Sequence, residues 1–251
     1  MINLLGRKFL KILSIAVFTF GLFSIAHGQF SILEQNQSGQ RVDFFTDWSA
    51  RTFTPANYQG KPLPTFNSII SLNATPVGAA NKKIIESNYT FNWIIDGATA
   101  LKATGSLAEF YAGEGAGSEH RIQLRIFDKN KDLINEYHFS IPISKPDITL
   151  YKKTGGTLES VTGMIIVNPG SELNIVAEPF FFNNITSESD LTYLWELNGE
   201  IIRKDSVDKH KISIVFPQEI PLRTSYELGL RVENPSDQFQ SFKKTYKILV
   251  Q

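Results

Sequence analysis

The chain has 251 residues, 42% of them hydrophobic and 20% charged, with 25 basic and 25 acidic side chains. Such a composition is globular and excludes a disordered or fibrous chain. The absence of cysteine excludes a disulfide framework, thiolate metal ligands, a cysteine nucleophile and a lipid-modified N-terminal cysteine.

Residues 1–28 read as a targeting segment. Arg7, Lys8 and Lys11 precede the uncharged apolar run ILSIAVFTFGLFSI at 12–25, and Ala26 and Gly28 stand at −3 and −1 of a cut before Gln29. A charged start, an apolar middle and small residues at the cut are the marks of a secretory signal peptide. Lengthened by Phe9 and Leu10, the run would instead act as an uncleaved anchor helix; its 14 residues are short of the roughly 20 that span a bilayer. On either reading the remainder is exported, to the cell surface, the periplasm or the medium, and touches membrane only through this segment if it is uncleaved. Removing the three cations leaves 22 basic against 25 acidic residues, a net charge of −3. A nucleic-acid partner needs a basic field, and none is present. Residues 29–41 are polar and read as a flexible leader.

From Val42 onward the sequence alternates in steps of two between Gly, Pro, Asn and Asp clusters, which predicts strands and turns. SIISLNATP (68–76) sends Ile70, Leu72 and Ala74 to one face. FNWIIDG (91–97) does the same with Phe91, Trp93 and Ile95, then meets Asp96-Gly97. Asp-Gly and Asn-Gly favour the type I′ hairpin turn, which needs positive φ at both central residues. RIQLRIFDKN (121–130) and the alternating Tyr137, Phe139, Ile141 and Ile143 close the first unit, 42–143. A short link, Ser-Lys-Pro at 144–146, leads to a second unit at 147–251. A link this short predicts a rod, bent or straight, rather than two tumbling beads.

The second unit repeats the first. SELNIVAEP starts at 171 against SIISLNATP at 68, an offset of 103; YLWELNG places Trp195 against Trp93, an offset of 102, and Asn198-Gly199 against Asp96-Gly97. ELGLRVENPS at 227 matches RIQLRIFDKN at 121, an offset of 106, and Tyr246, Ile248 and Val250 end the copy. A near-constant offset across four segments is the signature of a duplicated unit. Trp93 and Trp195 are each expected mid-strand on the buried face, beside Phe91 and Tyr193.

That placement resembles the buried strand-C tryptophan of immunoglobulin-like sandwiches. In such domains a tyrosine stands two residues before the second cysteine; here Tyr226 precedes Leu228, and His120 precedes Ile122. The resemblance implies that aliphatic packing replaces the bridge and that His120 caps the corner taken by Tyr226 in the other copy. Over 42–251 the chain thus resembles bacterial tandem immunoglobulin-like or PKD-like domains of the cell envelope, without the Asp-Phe-Gly-Asp-Gly run of PKD domains after either tryptophan. The expected fold class is all-β, two tandem sandwiches after the N-terminal segment.

Little in the sequence points to chemistry. His27 falls in the targeting segment, and His120, His138 and His210 lack metal-ligand spacing. DKNKDL (128–133) offers calcium-type oxygens at loop positions 1, 3 and 5 but has Leu133 and Phe139 where the glycine and the last acid belong; it reads as a hairpin loop. GEGAG (113–117) precedes no helix, so it offers an anion no helix N-terminus. No metal, cofactor or catalytic residue is expected. The stretch with binding character is EPFFFNN (178–184). A strand hides only alternate side chains, so Phe180, Phe181 and Phe182 either pack on the first domain and the core or leave a ring exposed. With Asn183, Asn184 and Phe239 of the loop at 233–239, an exposed ring would form a platform for a sugar or a protein. The expected function is a non-catalytic exported adhesion, scaffolding or spacer module with a protein or glycan partner at the cell surface. A carbohydrate-binding accessory protein and a hydrolase with an unrecognised site are the alternatives.

Overall fold

The computed structural model describes residues 42–78, 86–113, 115–202 and 209–251. The expected targeting segment (1–28) and leader (29–41) lie outside the described residues. Among the described residues the only helices are two single turns, Glu86–Asn88 and Glu188–Asp190. Everything else is strand, turn or loop, so the chain is all-β.

The first sandwich contains β1 (Val42–Ala50), β2 (Ile69–Gly78), β3 (Thr90–Ile95), β4 (Ala98–Thr99), β5 (Lys102–Thr104), β6 (Leu107–Tyr111), β7 (Glu119–Phe127) and β8 (Leu133–Pro142). They form two four-stranded sheets, in the orders β1-β2-β6-β5 and β4-β3-β7-β8. The second sandwich contains β9 (Asp147–Thr154), β10 (Thr157–Ser160), β11 (Ile165–Val167), β12 (Glu172–Phe180), β13 (Thr192–Leu197), β14 (Glu200–Ile201), β15 (Lys211–Val215), β16 (Ser225–Glu233) and β17 (Ser241–Val250). Its sheets run β10-β9-β12-β15 and β11-β17-β16-β13-β14. With β3, β7 and β8 standing as strands C, F and G, the first pair of sheets has the immunoglobulin-like arrangement.

Alternation explains the layers. Ile70, Leu72 and Ala74 of β2 are each fully buried, as are Leu173, Ile175 and Ala177 of β12 to within 1%. Their neighbours in sequence face the other side of the sheet. Each sandwich closes on its own core. The first gathers Phe44, Trp93, Leu124 and Ile141, among others; the second gathers Leu150, Phe182, Leu230 and Ile248.

Both indoles are sealed, Trp93 at 1% and Trp195 at 3% exposure. Phe91 and Tyr226 are half-buried against their cores, and Tyr193 is buried. Across the ladder Trp93 pairs with Leu124, and Trp195 with Leu230. The side chains beside the rings are therefore two residues beyond Ile122 and Leu228, which pair instead with Ile95 and Leu197. All four are buried. A third indole, Trp48 of β1, is also buried; the Lys61 ammonium lies 3.9 Å from its ring centre and 2.6 Å from Asp47.

The hairpin turns are built alike in the two copies. Asp96 and Gly97 have φ of 52° and 83°, and Asn198 and Gly199 have 51° and 82°, the positive pair that a type I′ turn requires. Each turn side chain then reaches the neighbouring strand: Asp96 Oδ1 accepts from Arg121 N, and Asn198 Oδ1 from Glu227 N, both at 2.8 Å. In the first copy Asp96 Oδ2 also lies 2.6 Å from His120 Nδ1, and Phe110 packs edge-on to the imidazole. The loop after β7 is tied by Asp128 Oδ1, which accepts from Asn130 N and Asp132 N, so that carboxylate organises its own turn.

One difference between the copies yields a prediction. Trp195 Nε1 donates to Lys209 O at 3.0 Å, whereas Trp93 Nε1 is buried with no partner among the described residues. Trp195→Phe is therefore expected to destabilise more than Trp93→Phe, by about 1 kcal/mol, read as the difference in urea midpoints at equal slope.

Candidate functional site

The stretch 178–184 is where the two sandwiches meet. β12 ends at Phe180, and Phe181 then takes φ of 63°, a conformation uncommon for a bulky residue. Both backbone groups of Phe181 are held by the first domain: its N–H donates to Phe53 O at 2.7 Å, and its carbonyl accepts from Thr65 Oγ1 at 3.0 Å. Phe53 N donates to Phe182 O at 2.7 Å, and Thr52 and Asn183 form an antiparallel bridge. The link is fixed as well, since Ser144 N donates to Pro64 O at 2.8 Å.

The strain at Phe181 breaks the alternation and separates the three rings. Phe182 turns into the second core and is fully buried. Phe180 and Phe181 are half-buried, with the Tyr58 ring edge-on at 5.6 and 5.7 Å. Burial pushes the Tyr58 hydroxyl pKa above its ordinary value. No planar platform forms at 180–182; Tyr58 covers what the strand could not hide.

Beneath these contacts lies a buried polar network. Gln240 Nε2 donates to Thr65 Oγ1 at 2.7 Å and to Phe66 O at 3.2 Å. Gln240 Oε1 accepts from Asn183 N at 2.8 Å. Asn183 Nδ2 donates to Phe66 O at 3.0 Å and to Asp237 Oδ2 at 3.2 Å, and Asn234 Nδ2 donates to Asn183 O at 2.8 Å. Thr65, Asn183, Asn234 and Gln240 are each exposed by no more than 2%. The loops at 178–184 and 233–239 thus share one end of the second sandwich, as expected, and they grip the 65–67 turn of the first.

A groove of about 550 Å³ opens beside this network. The first domain lines it with Asn67 and Tyr111, the second with Asn184, Asp237, Gln238 and Phe239. Tyr111 and Phe239 are 59% and 66% exposed. Phe239 rests edge-on against Phe66 at 5.3 Å. The one carboxylate of the groove is occupied: Asp237 Oδ1 accepts from Phe239 N, and Oδ2 from Asn183 and, at 3.4 Å, from Asn67 Nδ2. Of the expected binding residues, the groove holds Asn184 and Phe239; Asn183 lies beneath it, and Phe180, Phe181 and Phe182 serve the junction and the core. Tyr111 gave no sign in the sequence, because an outward tyrosine on a strand looks like any solvated position.

A second polar cluster lies behind the junction. Glu178 Oε2 and the Tyr193 hydroxyl are buried without a hydrogen-bond partner among the described residues. Burial, and after it the charge of Glu188, pushes the Glu178 carboxyl and the Tyr193 hydroxyl above their ordinary pKa ranges. His210 Nε2 lies 3.9 Å from Glu188. Among the described residues no three His, Asp or Glu side chains gather to hold a metal ion.

No protein-family model and no curated protein matches this sequence. Among solved structures, the chain is similar to the three N-terminal domains of the Highly Immunogenic Outer Capsid protein of bacteriophage RB49, at 12% identity and a TM-score of 0.41, over 84% of this chain and 59% of that one. It is similar to the fibronectin(III)-like modules of Clostridium thermocellum CbhA, at 12% identity and a TM-score of 0.28, over 82% of this chain and 94% of that one. It is also similar to Bacteroides ovatus SGBP-B in complex with a mixed-linkage heptasaccharide, at 13% identity and a TM-score of 0.24, over 80% of this chain and 47% of that one. The chain thus spans a little over half of the phage capsid chain and under half of SGBP-B.

Two predictions follow from the junction. Gln240→Ala removes a buried acceptor and a buried donor together, and is expected to cost about 2–3 kcal/mol. The single urea transition expected of the wild type should then split in two, read by the fluorescence of Trp48 and Trp93 on one side and Trp195 on the other. At Glu178 the sign runs the other way from a salt-bridged acid. The folded chain holds this proton more tightly than the unfolded chain, whose carboxyl titrates near 4.5, so stability falls as pH rises through that region. Glu178→Gln is expected to raise the melting temperature at pH 7, with the gain vanishing once the pH drops below the ordinary carboxylate value.

Proposed function

We propose that the protein is a non-catalytic exported module in which two immunoglobulin-like sandwiches, 42–143 and 147–251, are locked into one body and serve the cell envelope as an adhesive, scaffolding or spacer element. The observation that carries this reading is the junction. A pair of domains joined for flexibility has few contacts and a loose linker; here a backbone bridge and a buried network fix one orientation. A fixed orientation sets the distance and direction at which surfaces are presented, which is the property a spacer or scaffold needs.

The groove supports the non-catalytic part of the reading. Its carboxylate is committed to holding Phe239 N, Asn183 and Asn67, which suits Asp237 to organising loops rather than to moving protons. Export is supported by the order of charge, apolar run and small residues over 1–28. Produced with its full N-terminus in a bacterial host, the chain is expected in the periplasmic or extracellular fraction with a mature N-terminus at Gln29, read by intact mass. Recovery of the unprocessed chain from the cytoplasm contradicts the proposal.

A further inference from the structure

We propose that the groove between the domains binds an uncharged carbohydrate chain. The inference rests on the reading of this chain as a binding and presenting module, and it assigns the ligand class of that surface.

The groove combines two features that single out such a ligand. Its walls carry two exposed rings, Tyr111 from β6 of the first domain and Phe239 from the loop after β16 of the second. Large exposed aromatics scattered singly need no explanation, but two facing one groove offer apolar surface that a ligand with a C–H face would cover. Apart from the Asp237 carboxylate, the polar side chains that line the groove are neutral. Among the described residues the Asn184 and Gln238 side chains have no hydrogen-bond partner, and the Asn67 amide leans on Asp237 Oδ2 through one N–H at 3.4 Å. Planar amides offer paired donors and acceptors to vicinal hydroxyls.

Charge disfavours the competing ligands. Among the described residues no basic side chain lines the groove; the Lys102 ammonium lies 5.6 Å from the Tyr111 ring centre, but inside the groove an anionic polymer or a phosphate would meet the Asp237 carboxylate. The carboxylate already accepts from three donors, and among the described residues no second acid stands beside it to hold a cation. A flat ring with an apolar face and hydroxyls around its edge is matched on both counts.

The site is also held ready. Phe66 braces Phe239 at 5.3 Å, and one carboxylate fixes the Phe239 backbone and steadies Asn67. Two walls supplied by two domains cannot shift independently while the buried network holds. Preorganisation of this kind lowers the ordering cost of binding.

The test is native electrophoresis of the purified protein in gels containing dextran, laminarin, xyloglucan or galactomannan, with polygalacturonate as the anionic counterpart. The expected result is retardation by at least one neutral polysaccharide and none by polygalacturonate. Phe239→Ala and Tyr111→Ala should each weaken binding roughly 2- to 10-fold, the loss of one ring contact, and Asn184→Ala should weaken it through a hydrogen bond. Leu222→Ala, equally exposed at 65% but outside the groove, should bind as the wild type does. All four side chains are exposed, so a cooperative melt within a few degrees of the wild type should confirm that each variant is folded, with the largest shift at Phe239 for its contact with Phe66. Retardation by none of the neutral polysaccharides, retardation by polygalacturonate alone, or undiminished affinity in the Phe239→Ala/Tyr111→Ala double variant overturns the proposal. Export and processing at Gln29 are read independently, so a failure of the glycan assignment leaves that reading standing, and a failure of export leaves the binding result interpretable.

Discussion

The arrangement of the molecule depends on a buried glutamine. Gln240 sits in the second sandwich, and its amide spans to Thr65 and Phe66 of the first while its oxygen holds the Asn183 backbone. A net hydrogen bond is worth only about 1 kcal/mol, so no single contact here is decisive. Their geometry is. A docking rotated away from this one would bury donors and acceptors without partners, at about 1–3 kcal/mol each. The network is thus less a source of affinity than a filter against other orientations, even though Asn183 Oδ1 stays buried without a partner among the described residues. The left-handed backbone of Phe181 is tolerated because both of its peptide groups are engaged across the junction.

Within each sandwich, packing does what a disulfide does elsewhere in this class of fold. Trp93 lies against Leu124, and Trp195 against Leu230, and these leucines are exposed by no more than 1%. An indole and a leucine fill the space between sheets by area and shape alone. Units of about a hundred residues are large enough to do so. The junction adds a further device: Phe182 leaves the domain boundary to join the second core, while Phe180 and Phe181 remain outside to meet Tyr58.

The fold was legible because its determinants are local. Ile70, Leu72 and Ala74 alternate, and Asp96-Gly97 and Asn198-Gly199 dictate a turn whatever surrounds them. The alternation rule also required that one of three consecutive phenylalanines be dealt with specially, and Phe181 is that residue. What covers it was not legible, because Tyr58 lies far away in sequence and carries no periodic signal. The junction was opaque for the same reason. Thr65 and Gln240 stand 175 residues apart, and isolated polar residues in loops look alike until the chain brings them together. Of the groove, Asn184 and Phe239 were visible as candidates from the shared end of the sandwich, whereas Tyr111 depends on how the two domains dock.

The central claim is that the two sandwiches hold one orientation in solution. Backbone N–H residual dipolar couplings in a weakly aligning medium measure it most directly. The account predicts that couplings from 42–143 and from 147–251 fit a single alignment tensor with the interdomain orientation set by the Gln240 contacts. Two tensors of different magnitude or axes, the mark of domains reorienting independently, would contradict it.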